Sequence, residues 1–205
     1  MLSSSAIKHL RDRYASEPET ALAYFYFSFA DNRKQKVSEM LASLVKQLCS
    51  RRPDTPIQSL VQLKERRERP DIETLEAALA ATMRGFATVH LVIDGLDECS
   101  ALTGERGYLL DTLCRIVTTA PENAHILCTS RKEADISEAI TPLLSSPANN
   151  VVALSRHQLH YKDIGLYIES TLASRDYSSW PDDVKAEVRD TLIEKSDGMS
   201  VNREY

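Results

Sequence analysis

His90-Leu91-Val92-Ile93-Asp94-Gly95-Leu96-Asp97-Glu98 is the stretch whose reading decides the fold. An unbroken apolar run from Leu91 to Ile93 ends in a carboxylate, a glycine follows at once, and acids recur at 97 and 98. A run of this kind bounded by glycine reads as a strand buried on both faces, and such strands belong to parallel sheets. The acids then stand where the strand leaves the core, at its carboxyl end. That is the edge at which ligands bind in open α/β sheets. A solvated turn is the plainer explanation of Asp-Gly after a strand. Three acids crowd into Asp94–Glu98, and no polar residue interrupts the run between His90 and Asp94. Both features favour a strand that delivers a carboxylate to a phosphate and Mg²⁺ site, the physical content of a Walker B motif.

The 205 residues suffice for one α/β domain with a small appendage. Apolar content of 42% with 27% charged residues is that of a soluble globular chain. A net charge of −5 gives no support to nucleic-acid binding. No apolar run approaches membrane-span length, and the first ten residues lack a signal-peptide pattern. Cys49, Cys99, Cys114 and Cys128 fit no zinc spacing and read as reduced, buried, small hydrophobes, which implies a cytoplasmic setting. His9, His90, His125, His157 and His160 fall at no metal-ligand spacing; the 157/160 pair reads as a solvated turn.

Outward from the central strand, the chain alternates. Ile7, Leu10 and Tyr14 predict a helix over 2–15, and the aromatic run 21–29 predicts a strand. Val37, Met40, Leu41, Leu44, Val45 and Leu48 form one apolar stripe on a helix over 36–49. A charged helix over 58–69 follows, its Arg66, Arg67 and Arg69 read as a solvated face. Asp71 is a candidate N-cap for a helix carrying Ile72, Leu75, Leu79 and Met83. Past the central strand, Gly104–Gly107 reads as a loop, with a helix over 108–118 (Leu109, Leu110, Leu113 and Val117 inward). A strand at 124–128, a helix at 136–144 and a strand at 151–154 come next. Two further helices follow, one capped by Asp163 with Ile164, Tyr167, Ile168 and Leu172 inward. The other opens at Trp180-Pro181 with Val184, Val188, Leu192 and Ile193 inward. The expected organisation is an α/β parallel sheet over 1–155 and the start of a small helical subdomain over 156–205.

Two strand ends thus carry polar chemistry: Asp94, Asp97 and Glu98 on one, Thr129, Ser130 and Arg131 on the other. If the two strands are parallel neighbours, these ends share one edge. Around a triphosphate Asp94 would hold Mg²⁺ directly or through water. Asp97 or Glu98 would orient and deprotonate the attacking water, and Arg131 would meet charge developing on the γ-phosphate. The plainer reading of Arg131 is a surface pair with Glu133 or Asp135. A nuclease metal site lacks a fourth ligand and a basic groove, and no G-x-S-x-G supports serine hydrolase chemistry.

These residues carry a resemblance. Asp94-Gly95-Leu96-Asp97-Glu98 after its apolar run resembles the Walker B signature of NACHT domains, the signalling NTPases of NOD-like receptors (the STAND class). Ile126-Leu127-Cys128-Thr129-Ser130-Arg131 is similar to the family's sensor 1 strand and arginine. The run 24–31, followed by Leu41-x-x-Leu44-x-x-Gln47-Leu48-Cys49, resembles the nephrocystin-like N-terminal NACHT group. That group is abundant in multidomain proteins of filamentous fungi, often ahead of ankyrin repeats. The helix near Asp163-Ile164 and the run 194–199 are similar to the helical region that closes the domain. The resemblance implies a P-loop NTPase-type sheet, an ATP or GTP cofactor with Mg²⁺ on Asp94, nucleotide contacts from Thr129 and Arg131, and Asp97, Glu98 and Arg131 as catalytic residues.

The family's P-loop, G-x-x-x-x-G-K-[ST], does not occur among the six glycines. Met1-Leu2-Ser3-Ser4-Ser5-Ala6-Ile7 resembles the continuation just past that motif, so the chain is expected to lack the P-loop strand and its helix start. The family order places that strand between the Arg131 strand and the 151–154 strand. At the other end, 200–205 turns polar where the family continues as apolar helix. The P-loop backbone and lysine supply most of a phosphate cradle. Nucleotide binding is therefore expected to be lost or severely weakened. Against a switch NTPase stand two alternatives: an incomplete gene model, and a non-enzymatic module that self-associates or binds intact NACHT relatives through helix faces such as Val37–Leu48.

Overall fold

The computed structural model describes residues 2–53, 57–145, 149–152 and 158–198. The chain divides into two compact units, Met1–Asn150 and Val151–Tyr205. The first is an α/β unit around a three-stranded, wholly parallel sheet in the order β1 (Thr20–Tyr26), β2 (Thr88–Asp94), β3 (Ala124–Cys128). The strand that carries Asp94 is therefore central and hydrogen-bonded directly to the strand that carries Thr129 and Arg131, as their neighbourhood required.

Helix α1 (Leu2–Arg13) precedes β1. Helices α2 (Val37–Arg51), α3 (Gln58–Arg66) and α4 (Ile72–Met83) join β1 to β2, and α5 (Glu105–Thr119) joins β2 to β3. Helix α6 (Ala134–Ile140) follows β3 and runs into a 3-10 segment, Thr141–Ser145. Asp71 caps α4 as its position suggested, its carboxylate accepting the Thr74 N–H at 2.8 Å. Helix α5 begins three residues earlier than periodicity predicts, so Gly107 lies inside it rather than in a loop. Tertiary bonds set that start. Glu105 accepts the Val37 N–H at 3.3 Å, and Arg106 is tied to the carbonyls that follow β2.

Register puts Ala21, Ala23, Phe25, Val89, Leu91 and Ile93 on one face of the sheet. That face meets the apolar stripe of α2, together with Leu75, Leu79 and Met83 of α4 and Leu109, Leu110 and Leu113 of α5. All six stripe residues of α2 are buried. The expectation that this helix offers a docking face to relatives is thereby corrected: the stripe is already consumed by the core, because β1 and α4 both need a partner and α2 lies between them. The same helix guards the sheet edge. Gln47 accepts the Tyr24 N–H at 3.2 Å and donates to the Tyr24 carbonyl at 2.8 Å, satisfying backbone that an outer strand leaves open. Of the four free cysteines only Cys99 is buried; the other three are half-buried, since they lie at the margins of the apolar stripes. Burial pushes the Cys99 thiol up to about 11, which leaves it un-ionised and inert at neutral pH.

The second unit contains α7 (Gln158–Leu172), a 3-10 turn (Arg175–Tyr177) and α8 (Asp182–Gly198). Helix α7 starts five residues before the Asp163 expected to cap it. Ile168 and Leu172 are buried, but Tyr167, Val184 and Leu192, expected inward, are exposed. A helix pair has one seam to bury, so an apolar stripe wider than that seam stays outside. Arg189 crosses to Glu169 at 3.4 Å. Val151 and Val152 are exposed and outside any strand; the rest of the strand expected at 151–154, and His157, lie outside the described residues. Among the described residues no helix is long and apolar enough to cross a membrane.

Candidate functional site

Asp94 is the last residue of β2, and its side chain points to the sheet face opposite the main core. Parallel pairing sets Tyr26 of β1 beside it and brings the end of β3 to the same edge. The chain then turns sharply. Gly95 takes a left-handed φ of +73°, which a side chain would strain, and Leu96–Glu98 form one 3-10 turn. The turn is stitched to the end of β3: Thr129 N–H donates to the Ile93 carbonyl and Leu96 N–H to the Thr129 carbonyl, each at 3.0 Å.

The Asp94 carboxylate gathers hydroxyls. Thr129 Oγ1 donates to its Oδ1 at 2.7 Å and itself accepts the Gly95 N–H at 3.2 Å. The Ser3 hydroxyl, in the first turn of α1, donates to the same Oδ1. Ser3 is buried and Asp94 half-buried. A serine at the start of a helix is ordinarily read as a cap, and only the packing of α1 across the sheet shows that it reaches Asp94.

Asp97 does something different. Its side chain is 7% exposed. One oxygen accepts the Arg131 backbone N–H at 3.0 Å, with the Ser130 hydroxyl 3.4 Å away; the other meets Arg131 Nε at 3.2 Å. Arg131 therefore pairs with Asp97, and the surface pairing with Glu133 or Asp135 that its sequence neighbourhood suggested does not form. Asp135 is taken by Arg106 at 3.4 Å. Arg106 carried no motif, yet it donates to the Asp97 carbonyl at 2.6 Å and the Cys99 carbonyl at 2.8 Å, with its side chain 11% exposed. It splints the turn that holds both acids. Glu98 is half-buried and accepts the Phe29 N–H at 3.3 Å, linking the turn to the loop after β1.

The five site residues that the resemblance implies thus fall into two groups at one sheet edge. Asp94 and Thr129 form one, with Ser3 added; Asp97 and Arg131 form the other, with Glu98 on the same turn. Residues 1–131 match the protein family described as Nephrocystin 3, N-terminal. The chain belongs to that family. The nephrocystin 3 N-terminal match runs from α1 to Arg131, so it spans β1, β2, β3 and both groups of side chains. No curated protein matches the chain.

Among the described residues of this nephrocystin 3 N-terminal chain, no three His, Cys, Asp or Glu side chains gather into a metal cluster. Mg²⁺ does not need one. It is held by one or two carboxylates together with substrate phosphates and water, all oxygen donors. Asp94 with the Ser3 and Thr129 hydroxyls has that chemistry.

Proposed function

We propose that this nephrocystin 3 N-terminal chain carries the Walker B and sensor side of a NACHT-type nucleotide switch. The observation that supports this best is the Asp94 carboxylate, set at the carboxyl end of a central parallel strand. It is shared by a hydroxyl from the first turn of α1 and one from the end of the adjacent strand. Asp94 and Ser3 would hold Mg²⁺, which bound there would neutralise phosphate charge. Thr129 would orient the Asp94 carboxylate, Glu98 would orient and deprotonate the attacking water, and Arg131 would face a phosphate once released from Asp97.

The 205 residues contain no glycine-rich phosphate cradle, so they are expected to take Mg²⁺ weakly and ATP or GTP more weakly still. Two measurements test the reading. Millimolar Mn²⁺ should broaden the amide resonances of Ser3, Gly95 and Thr129, and Asp94→Asn should abolish the effect; uniform or absent broadening would sink the metal site. A calorimetric titration with Mg-ATP or Mg-GTP should show no micromolar binding, and a micromolar dissociation constant would overturn the loss of nucleotide.

A second reading, a regulatory module without hydrolysis, is favoured by one contact. Arg131 and Asp97, both expected in catalysis, neutralise each other across 3.2 Å. Turnover of ATP or GTP by the purified chain, abolished by Glu98→Gln, would rule it out.

A further inference from the structure

Opposite the aliphatic core, the sheet carries a row of rings. Leu22, His90 and His125 are register partners on neighbouring strands, so their side chains stand on the same face. Tyr14, one residue past α1, stacks on His90 with centroids 5.3 Å apart and planes 21° apart. His125 stacks at 5.1 Å and 22°. Inside this row His90 Nε2 is buried and has no hydrogen-bond partner among the described residues, a condition that native interiors rarely tolerate. Beside it lies a cavity of about 110 Å³ lined by Leu10, Val92, Leu127 and the two imidazoles.

Stacking and register set the nearest neighbours of His90 among the described residues. From the turn after α1 comes Tyr14, whose ring lies 5.6 Å from the Arg13 guanidinium; Arg11 is held elsewhere, 3.3 Å from the Tyr24 hydroxyl. From β1 comes Leu22; from β3, His125; along β2 itself, Thr88 and Val92. Glu17, in the turn between α1 and β1, accepts the Thr20 hydroxyl at 3.0 Å. Among the described residues no carboxylate pairs with His90. Its burial, and then the neighbouring imidazole, hold it below the ordinary histidine value of 6.5.

Among the described residues α1 has few other side chains holding it to the sheet, Arg11 on Tyr24 being one. Its buried residues are Ser3 and Ile7. Near its start Ser3 bonds Asp94, and just past its end Tyr14 lies on His90. A neutral imidazole suits that stack; an imidazolium would be a partly desolvated cation beside a second histidine, with no carboxylate paired to it among the described residues. We propose that the Tyr14–His90–His125 stack is an acid-sensitive clasp. A proton on His90 frees α1 from the sheet and withdraws the Ser3 hydroxyl from Asp94. The inference rests on the packing of α1 and stands whether or not Asp94 takes a metal.

Hydrogen exchange followed by mass spectrometry on the 205-residue chain, from about pH 7.5 to about pH 5 and corrected for intrinsic exchange, tests it. Protection of α1 should fall by up to about tenfold per pH unit below 6.5 and then level off, while α2 stays protected. His90→Phe keeps a ring in the stack but cannot take a proton, and its α1 protection should be flat with pH. A flat profile in the unsubstituted chain, or an equal fall in His90→Phe, would overturn the clasp. Should His90→Phe not fold by circular dichroism, His125→Gln at the exposed end decides. Removing the second imidazole should raise the pH at which α1 lets go, and an unmoved midpoint would count against the proposal.

Discussion

The two faces of the sheet are closed by different physics. On one, Ala21, Ala23, Phe25, Val89, Leu91 and Ile93 meet aliphatic side chains from α2, α4 and α5, and nearly every participant is fully buried. On the other, among the described residues, helix α1 with its two buried residues lies over rings, hydroxyls and a carboxylate. Dispersion and burial act without direction and tolerate small shifts, whereas a stack and a hydroxyl–carboxylate bond depend on geometry and protonation. The first face therefore sets whether the chain folds. The second sets how the Asp94 edge responds to its surroundings.

Substitutions graded by size would sharpen or break this contrast. Leu44→Ala, at a fully buried centre of the first face, should cost about 2–5 kcal/mol by chemical denaturation. A cost below about 1 kcal/mol would mean that the core is looser than its burial indicates. Asp97→Ala leaves the Arg131 N–H without its acceptor in a half-closed turn and should cost about 1–3 kcal/mol. It should also unpin the Arg131 guanidinium, readable as faster solvent exchange and broadening of its Nε–H resonance.

Acid should act on the second face through His90. Its folded pKa is lowered, so the unfolded chain binds the proton more readily. Stability is then fully present above the ordinary 6.5 and lost as pH falls through the lowered folded value, by up to about 1.4 kcal/mol per pH unit in that window. His90→Phe should remove this slope in denaturation midpoints. The smallest effect belongs to the half-exposed pair of Arg115 with Glu76, 2.7 Å apart between α5 and α4. Glu76→Gln should cost no more than about 1 kcal/mol, and less in high salt.

How much of this was legible depended on what kind of contact each residue makes. β3 fell where its apolar run predicted, and β1 and β2 lay within three residues of their predicted ends, because alternation and apolar runs report burial directly. The Asp94 turn was legible because a glycine and two further acids directly follow an apolar run. Arg106 was not legible: an arginine two residues past a glycine looks like any solvated helix start until its three acceptors are brought together. Tyr167 and Leu192 were misread because periodicity marks an apolar side of a helix but not how wide a partner will cover it.

Local pattern alone determined the strand–helix alternation, the parallel sheet and the edge at which Asp94, Thr129 and Arg131 meet. These follow from hydrophobic period and chain direction, which neighbours in sequence settle. Tertiary structure alone decided that Ser3 reaches Asp94, that Asp97 holds Arg131, and that His90 lies between Tyr14 and His125. Each of these joins residues far apart in the chain, and no local propensity carries information about a partner that only packing brings within reach.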